Sequence, residues 1–181
     1  MKLFDTSIAG VMRIESDSRE DERGAFTRLF CAEELKELLG ARTVVQINHS
    51  MTRSVGAIRG LHYQLQPYAE IKIVRCIKGR VFDVAVDLRR DSATFLKWNA
   101  LELTPQSHQA YVIPEGCAHG FQVLEEHSEL LYLHTEFYTP KAEAALRFDD
   151  PRIAVQWPLA PTDLSARDLS HPVLLEHFKG I

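Results

Sequence analysis

The sequence has few cysteines, and they form no recognisable pattern. Cys31, Cys76 and Cys117 are odd in number and widely spaced, with no CxxC pair. Neither a disulfide framework nor a cysteine-based zinc site is therefore indicated. The chain also lacks the apolar run of a signal peptide and the roughly 20 apolar residues of a membrane span. We expect a reduced, cytoplasmic location, no membrane partner, and cysteines that act as small buried hydrophobic residues.

Positive charge is also scarce, since 21 lysines and arginines face 25 aspartates and glutamates, which gives a net charge of −4. A nucleic-acid partner usually requires a basic surface, so none is expected. The sequence contains no GxGxxG or GxxxxGKS/T loop, and a nucleotide would have to be held by side chains such as arginines. No HxH or HxxxH pair precedes a carboxylate, so no metal site is expected either.

What the sequence does contain is many short β-type segments. Helical spacing is clear only at residues 32–39. Strands are predicted at 43–52, Ile58–Gln64, 71–77, 81–88, Trp98–Leu103, Gln109–Ile113, 119–124 and 130–137. Turn residues recur about every 8–12 residues, which predicts a mainly β sandwich or barrel in a single domain, residues 1–181. Lys78 and Gly79 are expected to form a tight hairpin, and the proline-rich tail after Asp149 to cover the surface and end in a short helix.

Two predicted strands carry a cationic or titratable side chain on an apolar face. Because side chains alternate along a strand, Lys72 shares a face with Val74, and His119 shares a face with Phe121. Burying an isolated charge is costly, so an inward lysine requires a partner or an anionic ligand. An edge position with the charge in solvent is the alternative for each residue taken alone.

The densest chemistry lies in the predicted strand Ile58–Gln64. Arg59 offers paired donors that suit a phosphate, and histidine, the residue type at position 62, is the one best suited to taking and returning protons near neutrality. Strict alternation places these two side chains on opposite faces. Both can reach one ligand only if Gly60 marks a bulge or bend.

With these residues in view, the chain resembles the dTDP-4-dehydrorhamnose 3,5-epimerase family over almost its whole length. The matching stretches are DERGAF at 21–26, QIN at 46–48, RGLHYQ at 59–64, EIKIVR at 70–75, DVAVDLR at 83–89, IPEGCAHGF at 113–121, QWP at 156–158 and SARD at 165–168. Each motif alone is weak, but their shared order and spacing make the match specific. The resemblance implies a cupin-type jelly-roll barrel and a homodimer that exchanges N-terminal strands.

The resemblance also implies roles for residues at the matching positions. His62 would be the general base, oriented by Asp168, and Tyr132 the opposing acid. Lys72 and His119 would stabilise negative charge on the C4 oxygen of a sugar nucleotide. The residues implied in binding the nucleotide or sugar are Arg23, Arg59, Gln46, Asn48 and Glu143. These residue types suit epimerisation beside a ketone, which needs a base, an acid and an oxyanion stabiliser but no redox cofactor.

Two departures from the family pattern bear on the substrate. Arg28 stands where the dTDP enzymes commonly have a glutamate, and Arg167 replaces a frequent lysine. Both arginines are also expected to bind the substrate. The main hypothesis is epimerisation at C3 and C5 of a nucleotide-linked 4-keto-6-deoxyhexose. The alternatives are a single-centre or CDP-sugar epimerase and, from another class, a non-catalytic sugar-nucleotide-binding cupin.

Overall fold

The computed structural model describes all 181 residues, which form thirteen strands, two short α-helices and a 3₁₀ turn at Pro105–Ser107. The strands are β1 (Lys2–Asp5), β2 (Met12–Glu15), β3 (Ser18–Asp21), β4 (Gly24–Thr27), β5 (Gln46–Thr52), β6 (Ile58–Gln64), β7 (Lys72–Lys78), β8 (Val81–Asp87), β9 (Trp98–Leu103), β10 (Gln109–Ile113), β11 (Cys117–Val123), β12 (Ser128–His134) and β13 (Glu143–Ala145). The helices are α1 (Lys36–Leu39) and α2 (Ala166–Ser170). Neither helix is long and apolar enough to cross a membrane.

Two antiparallel sheets make up most of the molecule. One has six strands in the order β1-β2-β10-β7-β12-β5, and the other has five in the order β13-β6-β11-β8-β9. A shared core contains inward residues of both sheets. Val74 and Leu130 come from the first sheet, and Ala85 and Phe121 come from the second. The predicted mainly β, cupin-type jelly-roll barrel is therefore confirmed.

The outer faces of the two sheets are covered by different segments. Helix α1 and the residues around it pack on the six-stranded sheet through Leu35 and Leu39. The C-terminal tail packs on the five-stranded sheet through Ile153 and Val155. Successive side chains of β7 point to opposite faces of the sheet: Val74 belongs to the shared core, and Ile73 belongs to the outer cluster under α1. This alternation decides which side chains face the space between the sheets.

Several expected boundaries need correction. The helix predicted at 32–39 is a turn followed by the single helical turn α1, and the tail forms its helix at α2 rather than at its end. The predicted hairpin at Lys78 and Gly79 is wrong, because β7 and β8 belong to different sheets. Gly79 has φ +75°, and a Cβ there would lie 2.4 Å from Ser128 Oγ. The chain therefore uses this glycine to cross from one sheet to the other, not to reverse within one.

Candidate active site

An open cavity of about 1190 Å³ lies between the two sheets at one end of the barrel. Its lining includes side chains from both sheets, from the loop that precedes α2, and from α2 itself. The sequence-predicted residues that line it are Asn48, Arg59, His62, Lys72, His119, Tyr132, Arg167 and Asp168. The fold therefore brings together residues that are up to 120 positions apart, from Asn48 to Asp168, in one cavity.

A bulge at Gly60 allows Arg59 and His62 to line the same cavity. The pairing of β6 with β11 shifts register here, since His62 pairs with His119 but Arg59 pairs with Phe121. Gly60 has φ +130°, and a Cβ on it would lie 2.5 Å from the Cα of Gly120. Only glycine permits this close approach of two backbones. The bend expected from the sequence is confirmed.

His62 is paired with a buried carboxylate. Its Nε2 lies 2.8 Å from Asp168 Oδ1. Burial raises the pKa of Asp168, but the hydrogen bonds from His62 and Ser165 outweigh that effect and leave the pKa below its usual value. The carboxylate therefore stays ionised at neutral pH and holds the His62 proton on Nε2. Nδ1 is then the free nitrogen that can accept a proton.

Ser165 explains why Asp168 is in place. As the residue that caps helix α2, Ser165 accepts a hydrogen bond at its Oγ from the Asp168 backbone N–H at 3.0 Å. This cap orients the short helix so that a residue 106 positions after His62 in the chain reaches it. The pairing of histidine and aspartate thus depends on a local helix-start signal in the sequence.

His119 forms a second histidine–carboxylate pair beside the first. Its Nε2 lies 2.6 Å from Oδ1 of Asp83, a fully buried residue on the adjacent strand β8. Sequence reasoning did not single out Asp83 as a site residue. The available signal was a carboxylate in the middle of the apolar stretch Val81–Asp87, where a charge without a partner would be costly. His119 itself is 5% exposed, as its predicted inward orientation requires.

Tyr132 faces these histidines from the opposite sheet. Its ring centroid lies 6.1 Å from that of His119, and its hydroxyl accepts a hydrogen bond of 3.3 Å from Ser50 Oγ. Burial raises the pKa of Tyr132 well above its usual value. The phenol therefore keeps its proton at neutral pH and is available as a proton donor.

Lys72 enters the cavity from the sheet that carries Tyr132. Its Nζ lies 3.5 Å from Glu70 Oε1, and Glu70 Oε2 lies 2.7 Å from His134 Nδ1. Burial raises the pKa of Glu70, but the interactions with His134 and Lys72 together outweigh burial and leave this pKa below its usual value. The carboxylate therefore remains charged. Lys72 thus has the partner that an inward lysine requires, and Glu70 is a second residue that sequence reasoning did not identify.

The other predicted binding residues surround these groups. Arg59 donates to Thr52 Oγ1 at 2.9 Å and lines the cavity. Gln46 and Glu143 do not line it, but each bonds a residue that does: Gln46 donates to Asn48 at 3.2 Å, and Glu143 accepts from Arg167.

The structure does not bring Arg23 and Arg28 to this cavity. Arg23 lies in the exposed hairpin of β3 and β4 and pairs with Asp21, while Arg28 pairs with Glu34. Neither residue lines the cavity of its own chain. Neither arginine is therefore placed to bind substrate in the cavity of its own chain, because each pairs with a carboxylate that lies outside the cavity.

One further group next to His62 was not identified from the sequence. His62, Asp168 and His171 each offer a ligand atom, and these atoms lie within 4.8 Å of one another. Asp168 and His171 are three positions apart, but His62 is 106 positions before Asp168, so the set forms no recognisable spacing motif. The set could hold a metal ion, although the proton chemistry of the site requires none.

The chain is similar to known proteins along nearly its whole length. The family model described as dTDP-4-dehydrorhamnose 3,5-epimerase matches residues 5–176. A dTDP-4-dehydrorhamnose 3,5-epimerase of Salmonella typhimurium is 40% identical over 176 residues, which cover 96% of each chain.

Two solved structures are also similar. A dTDP-6-deoxy-D-glucose-3,5-epimerase of Legionella pneumophila, in complex with dTDP-4-keto-L-rhamnose, has a TM-score of 0.90 and 38% identity over 95% of this chain and 92% of that one. ChmJ, a 3′-monoepimerase of Streptomyces bikiniensis in complex with dTDP-quinovose, has a TM-score of 0.86 and 30% identity over 93% and 85%. With two histidine–carboxylate pairs facing a tyrosine across one cavity, and with these matches along nearly its whole length, the chain belongs to the dTDP-4-dehydrorhamnose 3,5-epimerase family.

Proposed function

We propose that this protein epimerises C3 and C5 of a dTDP-linked 4-keto-6-deoxyhexose by removing and returning protons through an enolate. The observation that carries the proposal is the location of His62 and Tyr132 on opposite sheets of one cavity. Inversion at carbon requires a proton to leave from one face of the sugar ring and to return to the other. A base and an acid that face each other across the ring meet this requirement.

The base in this proposal is Nδ1 of His62. The C4 ketone acidifies the hydrogens on C3 and C5, because the carbanion that forms delocalises onto the carbonyl oxygen. Asp168 holds the proton on Nε2 and stabilises the imidazolium that forms when Nδ1 takes the substrate proton. The low pKa of Asp168 keeps this support in place at neutral pH.

The acid is Tyr132, whose raised pKa keeps the phenol protonated until the enolate forms. Donation of its proton to the planar carbon completes the inversion. A proton from solvent then restores the phenol, and His62 releases the substrate proton to solvent. Lys72 and His119 stabilise the negative charge on the C4 oxygen. Asp83 holds His119 in position for this role.

The nucleotide diphosphate is assigned to the rim of the cavity. Arg59 and Arg167 supply positive charge there, and Asn48 supplies amide donors and acceptors. Gln46 and Glu143 orient Asn48 and Arg167 through their hydrogen bonds. The dTDP-linked ligand of the Legionella complex and the names of the relatives support dTDP as the nucleotide carrier.

Proton exchange with solvent tests the proposed function directly. The protein is incubated in D2O with dTDP-, CDP- and GDP-linked 4-keto-6-deoxyglucose, and NMR follows deuterium at each ring carbon. We expect deuterium at both C3 and C5 of the dTDP sugar, together with inverted configuration. Absence of exchange with every sugar would contradict catalysis and favour a binding protein.

The same spectra separate the related activities. Labelling at C3 alone would indicate a single-centre epimerase, an alternative that the similarity to the Streptomyces 3′-monoepimerase supports. Faster labelling of the CDP sugar would indicate that the arginine at position 28 accompanies a change of nucleotide.

We also propose that the protein forms a homodimer. The β3–β4 hairpin pairs with no other strand, and its Phe26 is 74% exposed. The edge strand β5 leaves its outer side unpaired, with Ile47 60% exposed. Large apolar side chains on a projecting hairpin and on an open sheet edge suit a second copy of the chain. Arg23 and Arg28 on or beside this hairpin would then contribute to the partner's cavity.

Light scattering tests the dimer. We expect twice the monomer mass for the unaltered chain and a shift towards monomer for Phe26→Asp, because the aspartate would place a charge in the apolar contact. Leu175→Asp is the matched control, since Leu175 is 64% exposed on the C-terminal tail. A stable monomer for the unaltered chain would contradict strand exchange.

A further inference from the structure

The cluster of His62, Asp168 and His171 has a composition and size suited to a transition metal. Imidazole nitrogen and carboxylate oxygen are common zinc ligands, with metal–ligand bonds of about 2.0–2.2 Å. A tetrahedral ion with such bonds separates its ligand atoms by about 3.4 Å. The His62–Asp168 distance of 2.8 Å and the 4.8 Å limit for the whole set fall on either side of this value. Small side-chain adjustments would therefore form the site.

A second observation concerns His171 alone. Its Nε2 is buried and has no hydrogen-bond partner. Buried polar atoms are nearly always satisfied, and an unsatisfied one costs about 1–3 kcal/mol. The His171 ring lies edge-on to that of His62, with centroids 5.9 Å apart. The histidine is thus held next to the His62–Asp168 pair without an interaction that accounts for its nitrogen.

We propose that these three side chains bind a zinc-class divalent ion, and that this ion reversibly inhibits the enzyme. His62, Asp168 and His171 supply two nitrogens and one oxygen, and the fourth position is left for water or another small ligand from the cavity. Hard ions such as Mg²⁺ prefer oxygen ligands and would bind poorly. The inhibition, but not the metal binding, rests on the proposed function.

Inhibition follows from the tautomer of His62. An ion that replaces the proton between His62 Nε2 and Asp168 leaves the ring proton on Nδ1. Nδ1 is the nitrogen proposed to accept the substrate proton, so the base is lost. The same ion occupies the carboxylate that would stabilise the imidazolium. Metal binding and proton abstraction therefore exclude each other.

The two buried cysteines offer little competition for this ion. Burial raises the pKa of the Cys76 thiol to about 11 and that of Cys117 to about 12, so both remain protonated at neutral pH. Only the thiolate binds metal well. Neither buried thiol is therefore expected to compete with the histidine site for zinc.

Calorimetric titration with ZnCl₂ tests the site without any sugar substrate. Chelator-stripped protein is expected to bind one zinc ion per chain, and His171→Ala to weaken the binding at least about tenfold, as loss of even an outer-shell partner can. His171→Gln, which retains a polar side chain of similar size, provides the same test if the alanine variant folds poorly. His177→Ala is the matched control, since His177 is exposed on the same tail and outside the cluster.

Rate measurements test the inhibition, with each variant normalised to its own rate in EDTA. Zinc is expected to inhibit the unaltered enzyme, EDTA to restore it, and His171→Ala to raise the half-inhibiting zinc concentration at least about tenfold. Mg²⁺ at the same concentration should have no effect. Equal zinc affinity in the unaltered protein and both His171 variants would overturn the site. Zinc binding without inhibition would overturn only the proposal that zinc inhibits the enzyme. Inactivity of the unaltered enzyme in EDTA would count against the proposed function but would leave the calorimetric test of zinc binding intact.

Discussion

His62→Ala is expected to reduce solvent-deuterium incorporation into a dTDP-linked 4-keto-6-deoxyhexose by about 10²–10⁴-fold, the usual contribution of a general base. Exchange at C3 and at C5 should fall together if the same nitrogen serves both carbons. Asp168 would remain in place, but the proton acceptor that it orients would be absent. NMR in D2O measures the loss at each carbon separately.

The control for this variant is a histidine of the same cavity. His49 also lines it but is half-exposed and bonded to Glu129 at 2.9 Å, so His49→Ala should retain most of the exchange. Near-normal exchange in His62→Ala, with a folded protein by circular dichroism, would rule out His62 as the base.

Tyr132→Phe is expected to separate exchange from inversion. The variant keeps the aromatic ring but removes the proton that returns to the opposite face, so inverted product should fall by about 10²-fold or more. His62 can still remove a proton and deliver deuterium to the same face. Labelled sugar with unchanged configuration should therefore accumulate, and NMR distinguishes it from the epimer.

The matched control is Tyr68→Phe, because Tyr68 is 43% exposed and does not line the cavity. Substrate binding should change little in either variant. Formation of inverted product by Tyr132→Phe at nearly the normal rate would assign the acid to another residue.

Much of the β framework could be predicted from sequence because it depends on local alternation. The predicted strands Ile58–Gln64, Trp98–Leu103 and Gln109–Ile113 have the same bounds in the structure. The crossing at Gly79 could not be predicted, since a glycine with positive φ suits both a hairpin and a passage between sheets. Which one forms depends on the pairing of β7 with β10 and β12, which is a tertiary property.

The residues of the candidate site likewise fall into those that local sequence patterns predict and those that only the tertiary fold brings together. The inward positions of Lys72 and His119 follow from a period of two, and the bend near His62 follows from a glycine in a strand. Asp83 stood out only as a carboxylate in an apolar strand, and its pairing with His119 could not be read from the sequence. The position of His171 beside His62 likewise exists only after the strands and the tail have folded together. The hairpin that carries Arg23 shows the converse case, in which a family motif is present but lies outside the cavity of its own chain.

The division of the site between two sheets has a consequence for the product's handedness. His62 is on the five-stranded sheet and Tyr132 on the six-stranded one, and packed sheets lie roughly 10 Å apart. A sugar ring bound between the two sheets would have one of these side chains on either side of it. The chirality of the product is therefore a property of how the two sheets are spaced, and of neither residue alone. A change that loosened the gap would yield mixed diastereomers before it slowed proton removal.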